Sequence, residues 1–118
     1  MKRVLVIEDN ENNLYLVRFI LEKNGYEVLE ARDGKTGMEL AIQQKPDLVI
    51  VDIQLPDING LEVARQLRDS GAGELPIVAL TSYALTGDRE KTIKAGCTGY
   101  IEKPIRPESF ISDITQFL

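Results

Sequence analysis

The chain is punctuated by short apolar runs that each stop at a polar group. Val4-Leu5-Val6-Ile7 runs into Glu8-Asp9, Leu48-Val49-Ile50-Val51 into Asp52, Ile77-Val78-Ala79-Leu80 into Thr81-Ser82, and Gly99-Tyr100-Ile101-Glu102 into Lys103-Pro104. The first three are rich in Val and Ile and lack strict alternation, which predicts strands buried on both faces of a parallel sheet. Tyr26-Glu27-Val28-Leu29-Glu30-Ala31 reads as one more strand.

Helical spacing fills the intervals. Leu14, Val17, Ile20 and Leu21 share a helix face that Asn10 or Asn12 opens and Asn24-Gly25 stops. Asp33-Gly34 begins a helix running to about Gln44, with Pro46 breaking the chain before the next strand. Ile58 to Arg68 forms another, closed by Ser70-Gly71-Ala72-Gly73, and Thr86 or Asp88 leads a further one to Ala95 with Gly96 as its stop. Pro107 suits a first helical turn, and Phe110, Ile114, Phe117 and Leu118 recur on one face.

Five strands alternating with five helices across short connections predict a doubly wound α/β sandwich with a five-stranded parallel sheet. Right-handed crossovers place every strand's C-terminal end on one edge, where such folds collect their ligands. The acids, hydroxyls and amine at the four strand ends are therefore expected to meet.

Composition narrows the classes of function. The length of 118 residues suits one domain, 1–118, and no tract is apolar for the roughly 18 residues a membrane span needs. Met1-Lys2-Arg3 leads into too short an apolar run for a signal peptide, and the single cysteine, Cys97, suits a reducing cytoplasm. With 14 basic against 19 acidic residues and a net charge of −5, a phosphate backbone finds little to hold, so direct nucleic-acid binding is not expected. Histidine is absent, which removes imidazole-based triads, imidazole metal sites and phosphohistidine on this chain.

Glu8, Asp9 and Asp52 crowded at strand ends would oppose one another's ionisation, and a divalent cation resolves that conflict. Oxygen-only donors beside a phosphate suit magnesium, with manganese able to substitute. Lys103 offers a point charge and Thr81 a hydroxyl for an anionic ligand, making Asp52 the nucleophile that forms an aspartyl phosphate. Each residue also has a plainer reading: Asp9 as a helix cap, Glu8 as a solvated loop residue, Thr81 and Asp52 as turn formers, Lys103 as an exposed strand-end charge, Tyr100 as amphipathic packing. Their coincidence at four strand ends favours the chemistry.

Glu8-Asp9-Asn10, the segment Val51-Asp52-Ile53-Gln54-Leu55-Pro56-Asp57-Ile58-Asn59-Gly60, Thr81-Ser82 and Tyr100-Ile101-Glu102-Lys103-Pro104 resemble the receiver domain of two-component response regulators over nearly the whole chain. The resemblance implies the CheY-like, flavodoxin-like fold. It implies that Asp9 and Asp52 ligate magnesium, that Gln54 adds its backbone carbonyl, that Glu8 acts directly or through water, and that the Lys103-Pro104 bond is cis. It also implies phosphoryl transfer in trans from a histidine kinase or a histidine phosphotransfer protein. Thr81 and Tyr100 then act as a switch that alters the surface of the fourth helix, fifth strand and fifth helix for a downstream protein, with a monomer or a phosphorylation-dependent dimer as the assembly. Gln54 and Tyr83 would tune the phosphate's lifetime. Glu8 departs from the aspartate often found at its position.

The Asp57-Ile58-Asn59-Gly60 and Thr81-Ser82-Tyr83-Ala84 segments look like those of stand-alone cell-polarity receivers of the DivK type, or of hybrid-kinase receivers. With no sequence after Leu118, no output domain is expected on this chain. Three rivals stand beside the receiver: an adaptor that works without phosphorylation, a flavodoxin-like electron carrier and a turnover enzyme using Asp52. The electron carrier conflicts with Glu8-Asp9-Asn10-Glu11, which would repel a flavin phosphate. The enzyme would need a second acid and a substrate pocket, for which loops this short leave little room. Catalysis limited to the chain's own phosphorylation and dephosphorylation is the expectation.

Overall fold

A computed structural model describes residues 1–82 and 88–118. The strands are β1 (Arg3–Ile7), β2 (Glu27–Ala31), β3 (Leu48–Asp52), β4 (Ile77–Thr81) and β5 (Gly99–Glu102), and the helices are α1 (Glu11–Lys23), α2 (Gly34–Gln44), α3 (Gly60–Asp69), α4 (Asp88–Lys94) and α5 (Pro107–Thr115). All strand pairs are parallel, in the order β2-β1-β3-β4-β5. This is the doubly wound arrangement the apolar runs predict.

The lack of alternation in those runs has a direct cause. Successive side chains leave a strand on opposite faces, and here both faces are dry. Val4, Val6, Leu48, Ile50, Val78 and Leu80 pack into one layer with Leu14, Val17, Ile20 and Leu21 of α1 and Phe110 and Ile114 of α5. Their neighbours Leu5, Ile7, Val49, Val51, Ile77 and Ala79 pack into the other with Ala41 of α2 and Val63, Ala64 and Leu67 of α3. Helix α4 lies against β5.

Helix ends follow their capping residues. Asn10, Asn59 and Asp33 each accept a hydrogen bond from an N–H of the first turn they precede, at 3.0, 2.7 and 2.7 Å. Asn24 and the positive φ of 88° at Gly25 end α1. Lys45 ends α2 in the left-handed region at φ 48°, just before Pro46.

Among the boundaries that differ from expectation, three have a local cause. Helix α3 starts at Gly60 rather than Ile58, because Asn59 is its cap and Gly60 N donates to Ile53 O at 2.8 Å, which keeps Ile58 in the connection. Strand β2 begins at Glu27, since Tyr26 N still bonds to Leu21 O at the end of α1. Helix α5 ends at Thr115, and Phe117 and Leu118 reach the core from beyond it. The expected helix start at Thr86 and the segment with Tyr83 and Ala84 lie outside the described residues.

Candidate functional site

Strand register delivers the polar groups to one edge. Ile7 pairs with Val51 and Asp52 with Leu80, and Thr81 is opposite Glu102, so β1, β3, β4 and β5 end at nearly one level. Glu8 N continues the ladder past β1 by donating to Ala31 O at 2.9 Å, which draws Glu8 inward. Its residue is 0% exposed, and neither carboxylate oxygen has a hydrogen-bond partner among the described residues. Asp9 stays exposed beside it.

Asp52, 3% exposed, is the centre of the arrangement. Its Oδ1 accepts from Gln54 N at 3.0 Å and its Oδ2 from Lys103 Nζ at 2.8 Å. Lys103 Nζ also lies 3.3 Å from Glu8 Oε1, an ion pair without hydrogen-bond alignment. The Lys103 backbone is tied to the end of β4, its N–H donating to Thr81 O at 2.8 Å. The Lys103-Pro104 peptide is cis. Thr81 is itself buried at the end of β4. A cavity of about 230 Å³ opens beside Asp52, with Gln54, Thr81 and Lys91 in its wall.

The electrostatics follow from crowding. Burial pushes the Glu8 carboxyl up to about 7, and the neighbouring Asp52 carboxylate adds to that, while Lys103 opposes it. For Lys103, burial works against the charge, yet the Asp52 hydrogen bond and the two carboxylate charges outweigh it and raise its pKa. One carboxylate oxygen from each of Glu8, Asp9 and Asp52 can be chosen so that all lie within 4.8 Å of one another. Hard oxygen donors, with both oxygens of Glu8 buried and free of hydrogen bonds, fit a small divalent cation.

Not every residue expected at the site joins this cluster. Glu8, Asp9, Asp52 and Lys103 do, with Thr81 linked through its carbonyl and Gln54 through its N–H. Tyr100 stands apart, half-buried on β5, where it lines a separate cavity of about 680 Å³ between β5 and α5 with Ile93, Phe110 and Phe117.

Two residues near the site hold structure that their local sequence does not announce. A Cβ placed on Gly60 would sit 2.2 Å from Asp52 O, so only glycine lets the start of α3 approach the end of β3 this closely. Asp57 accepts hydrogen bonds from Gly34 N and Lys35 N, at 2.8 and 2.9 Å, across the gap to α2. Its place after Pro56 is a signal for a turn, but its partners are distant in sequence.

The family model described as response regulator receiver domain matches residues 4–115. The polar-differentiation response regulator DivK of Brucella anthropi is 42% identical over 118 residues, covering 99% of this chain and 96% of that protein. DivK of Brucella ovis matches to the same extent. Among solved structures, the chemotaxis response regulator CheY4 of Vibrio cholerae superposes with a TM-score of 0.94 at 28% identity, over 100% of this chain and 99% of its own. The receiver domain of the Pseudomonas aeruginosa sensor histidine kinase PA1611, solved with a magnesium ion coordinated in its active-site cleft, gives 0.90 at 32% identity over 98% and 96%. The chain belongs to the response regulator receiver family of two-component signalling.

Proposed function

We propose that residues 1–118 act as one cytoplasmic receiver module in which Asp52 accepts a phosphoryl group from a phosphohistidine presented by a histidine kinase or a histidine phosphotransfer protein. The observation that carries this reading is the Asp52 carboxylate, buried at the sheet edge, hydrogen-bonded to Lys103 and pressed against the unsatisfied carboxylate of Glu8.

Glu8, Asp9 and Asp52, with the backbone carbonyl of Gln54, would hold magnesium or manganese. When bound, the cation supplies positive charge that offsets the carboxylates and the incoming phosphoryl oxygens. An oxygen of Asp52 attacks phosphorus, the P–N bond of the donor breaks, and its electron pair returns to an imidazole that leaves neutral with its other nitrogen protonated. Lys103 stands where charge on the phosphoryl group develops, and the Thr81 hydroxyl is placed to donate to it afterwards. The product is an acyl phosphate on Asp52, so the chain's catalysis is limited to its own phosphorylation and dephosphorylation.

Charge at Asp52 then draws Thr81 toward the phosphoryl group, and Tyr100 turns in answer. The cavity beside Tyr100 gives that ring room to move, and the α4–β5–α5 face changes shape for a downstream protein or a second copy of the chain. Beryllofluoride with magnesium, a stable phosphoryl mimic, tests this by amide NMR. Shifts at Asp52, Thr81 and Tyr100 in the parent and none in Asp52→Asn are expected; an unchanged spectrum in the parent would leave an adaptor independent of phosphorylation.

A further inference from the structure

The connection between β3 and α3 is fastened to α2 by one side chain. Asp57 Oδ1 accepts from Gly34 N at 2.8 Å and Oδ2 from Lys35 N at 2.9 Å, so both oxygens take successive N–H groups of the first turn of α2. Such N–H groups have no partner within their own helix and carry partial positive charge. The next one, Thr36 N, is taken by Asp33 Oδ1 at 2.7 Å. Two carboxylates thus share one helix end, and only Asp57 arrives from a distant segment. Ile58 presses on Gly34 so closely that a Cβ there would meet it at 2.5 Å.

The base of the same connection is closed on itself. Gly60 N donates to Ile53 O at 2.8 Å, and Gln54 N to Asp52 Oδ1 at 3.0 Å. Between these ties Ile53, Leu55 and Ile58 pack against the core, while Gln54, Pro56 and Asp57 are exposed. Without the Asp57 tie, fixing the exposed part of this segment would cost conformational entropy whenever a ligand required it.

We propose that Asp57 is a positioning residue for the metal site: by clasping α2 it holds the segment that carries Gln54, and so sets where the Gln54 carbonyl stands relative to Asp52. This rests on the magnesium reading above. Asp33 supplies the control, because it caps the same helix through Thr36 N, three residues along its own segment.

Magnesium chloride is titrated into isotope-labelled parent, Asp57→Ala, Asp57→Asn and Asp33→Ala, following the amides of Glu8, Asp9, Asp52 and Gln54, with a thermal melt of each. Asp57→Ala should weaken magnesium binding roughly tenfold, the lower end of what losing an outer partner costs a metal site. Asp57→Asn, which keeps an acceptor and loses the charge, should lose less. Asp33→Ala should lower the melting temperature and keep the parent's magnesium affinity. Parent-like affinity in Asp57→Ala overturns the proposal, as do equal losses in the Asp57 and Asp33 variants. Absence of magnesium binding in the parent overturns the metal reading itself. Should Asp57→Ala not fold, Asp57→Asn decides, parent-like affinity again counting against the role.

Discussion

Lys103 donates to Asp52 Oδ2 at 2.8 Å, joining the end of β5 to the end of β3 across the intervening β4. The same ammonium faces Glu8 at 3.3 Å, so one cation offsets two buried carboxylates. Replacing it with a neutral side chain of similar length, Lys103→Met, leaves both acids unpaired. Removing one partner of a buried pair costs about 3 kcal/mol. Urea unfolding at pH 8 should show a loss of that order, and a smaller one at pH 5, where Glu8 is protonated.

Glu8 makes the metal-free protein's stability depend on pH in an unusual direction. Its carboxyl is raised from 4.5 to about 7 by burial first and Asp52 second, so the folded state holds that proton more tightly than the unfolded state. Its contribution is fully present below 4.5 and is lost as pH rises through about 7. The loss is on the order of 3 kcal/mol, following from the size of the shift. Glu8→Gln should flatten the profile between those values, and so should magnesium, which favours the ionised carboxylate. Denaturant melts across pH, with and without the cation, measure both effects.

Gly60 is a steric requirement of the acceptor strand. In Gly60→Ala the new methyl group would fall 2.2 Å from Asp52 O, against backbone that cannot swing aside. The expected cost is about 3 kcal/mol, at the upper end of overpacking. Gly99→Ala should cost less, because the obstructing atom there is the tip of the Phe117 ring beyond the end of α5. Thermal melts of the two variants make the comparison.

Cys97 should be inert in the folded protein. Burial pushes its thiol up to about 11 and leaves it 5% exposed, so neither thiolate nor access is available at pH 8. Iodoacetamide should label it in urea and leave it unmodified in buffer.

The parts of the site written into single strands are legible in the amino-acid order itself. Asp52 and Thr81 each follow an apolar run and Lys103 follows the strand-like Gly99-Tyr100-Ile101-Glu102, and parallel topology alone brings such ends together. The capping roles of Asn10 and Asp33 are local in the same way. What the amino-acid order does not disclose depends on contacts between distant segments. Asp57 meets residues 23 and 22 positions away, and Glu8 is drawn inside by Ala31 at the end of the adjacent strand β2. Ile58 extends the helical periodicity of α3 by two residues, although the Gly60-to-Ile53 bond places it in the connection.

The central claim, that Asp52 takes up a phosphoryl group, is tested most directly by intact-mass spectrometry after incubation with phosphoramidate, with and without magnesium. The parent should gain the mass of one phosphoryl group only when magnesium is present, lose it to hydroxylamine, and show no gain as Asp52→Asn. A parent that stays unmodified with magnesium, or an Asp52→Asn variant modified equally well, would contradict the account.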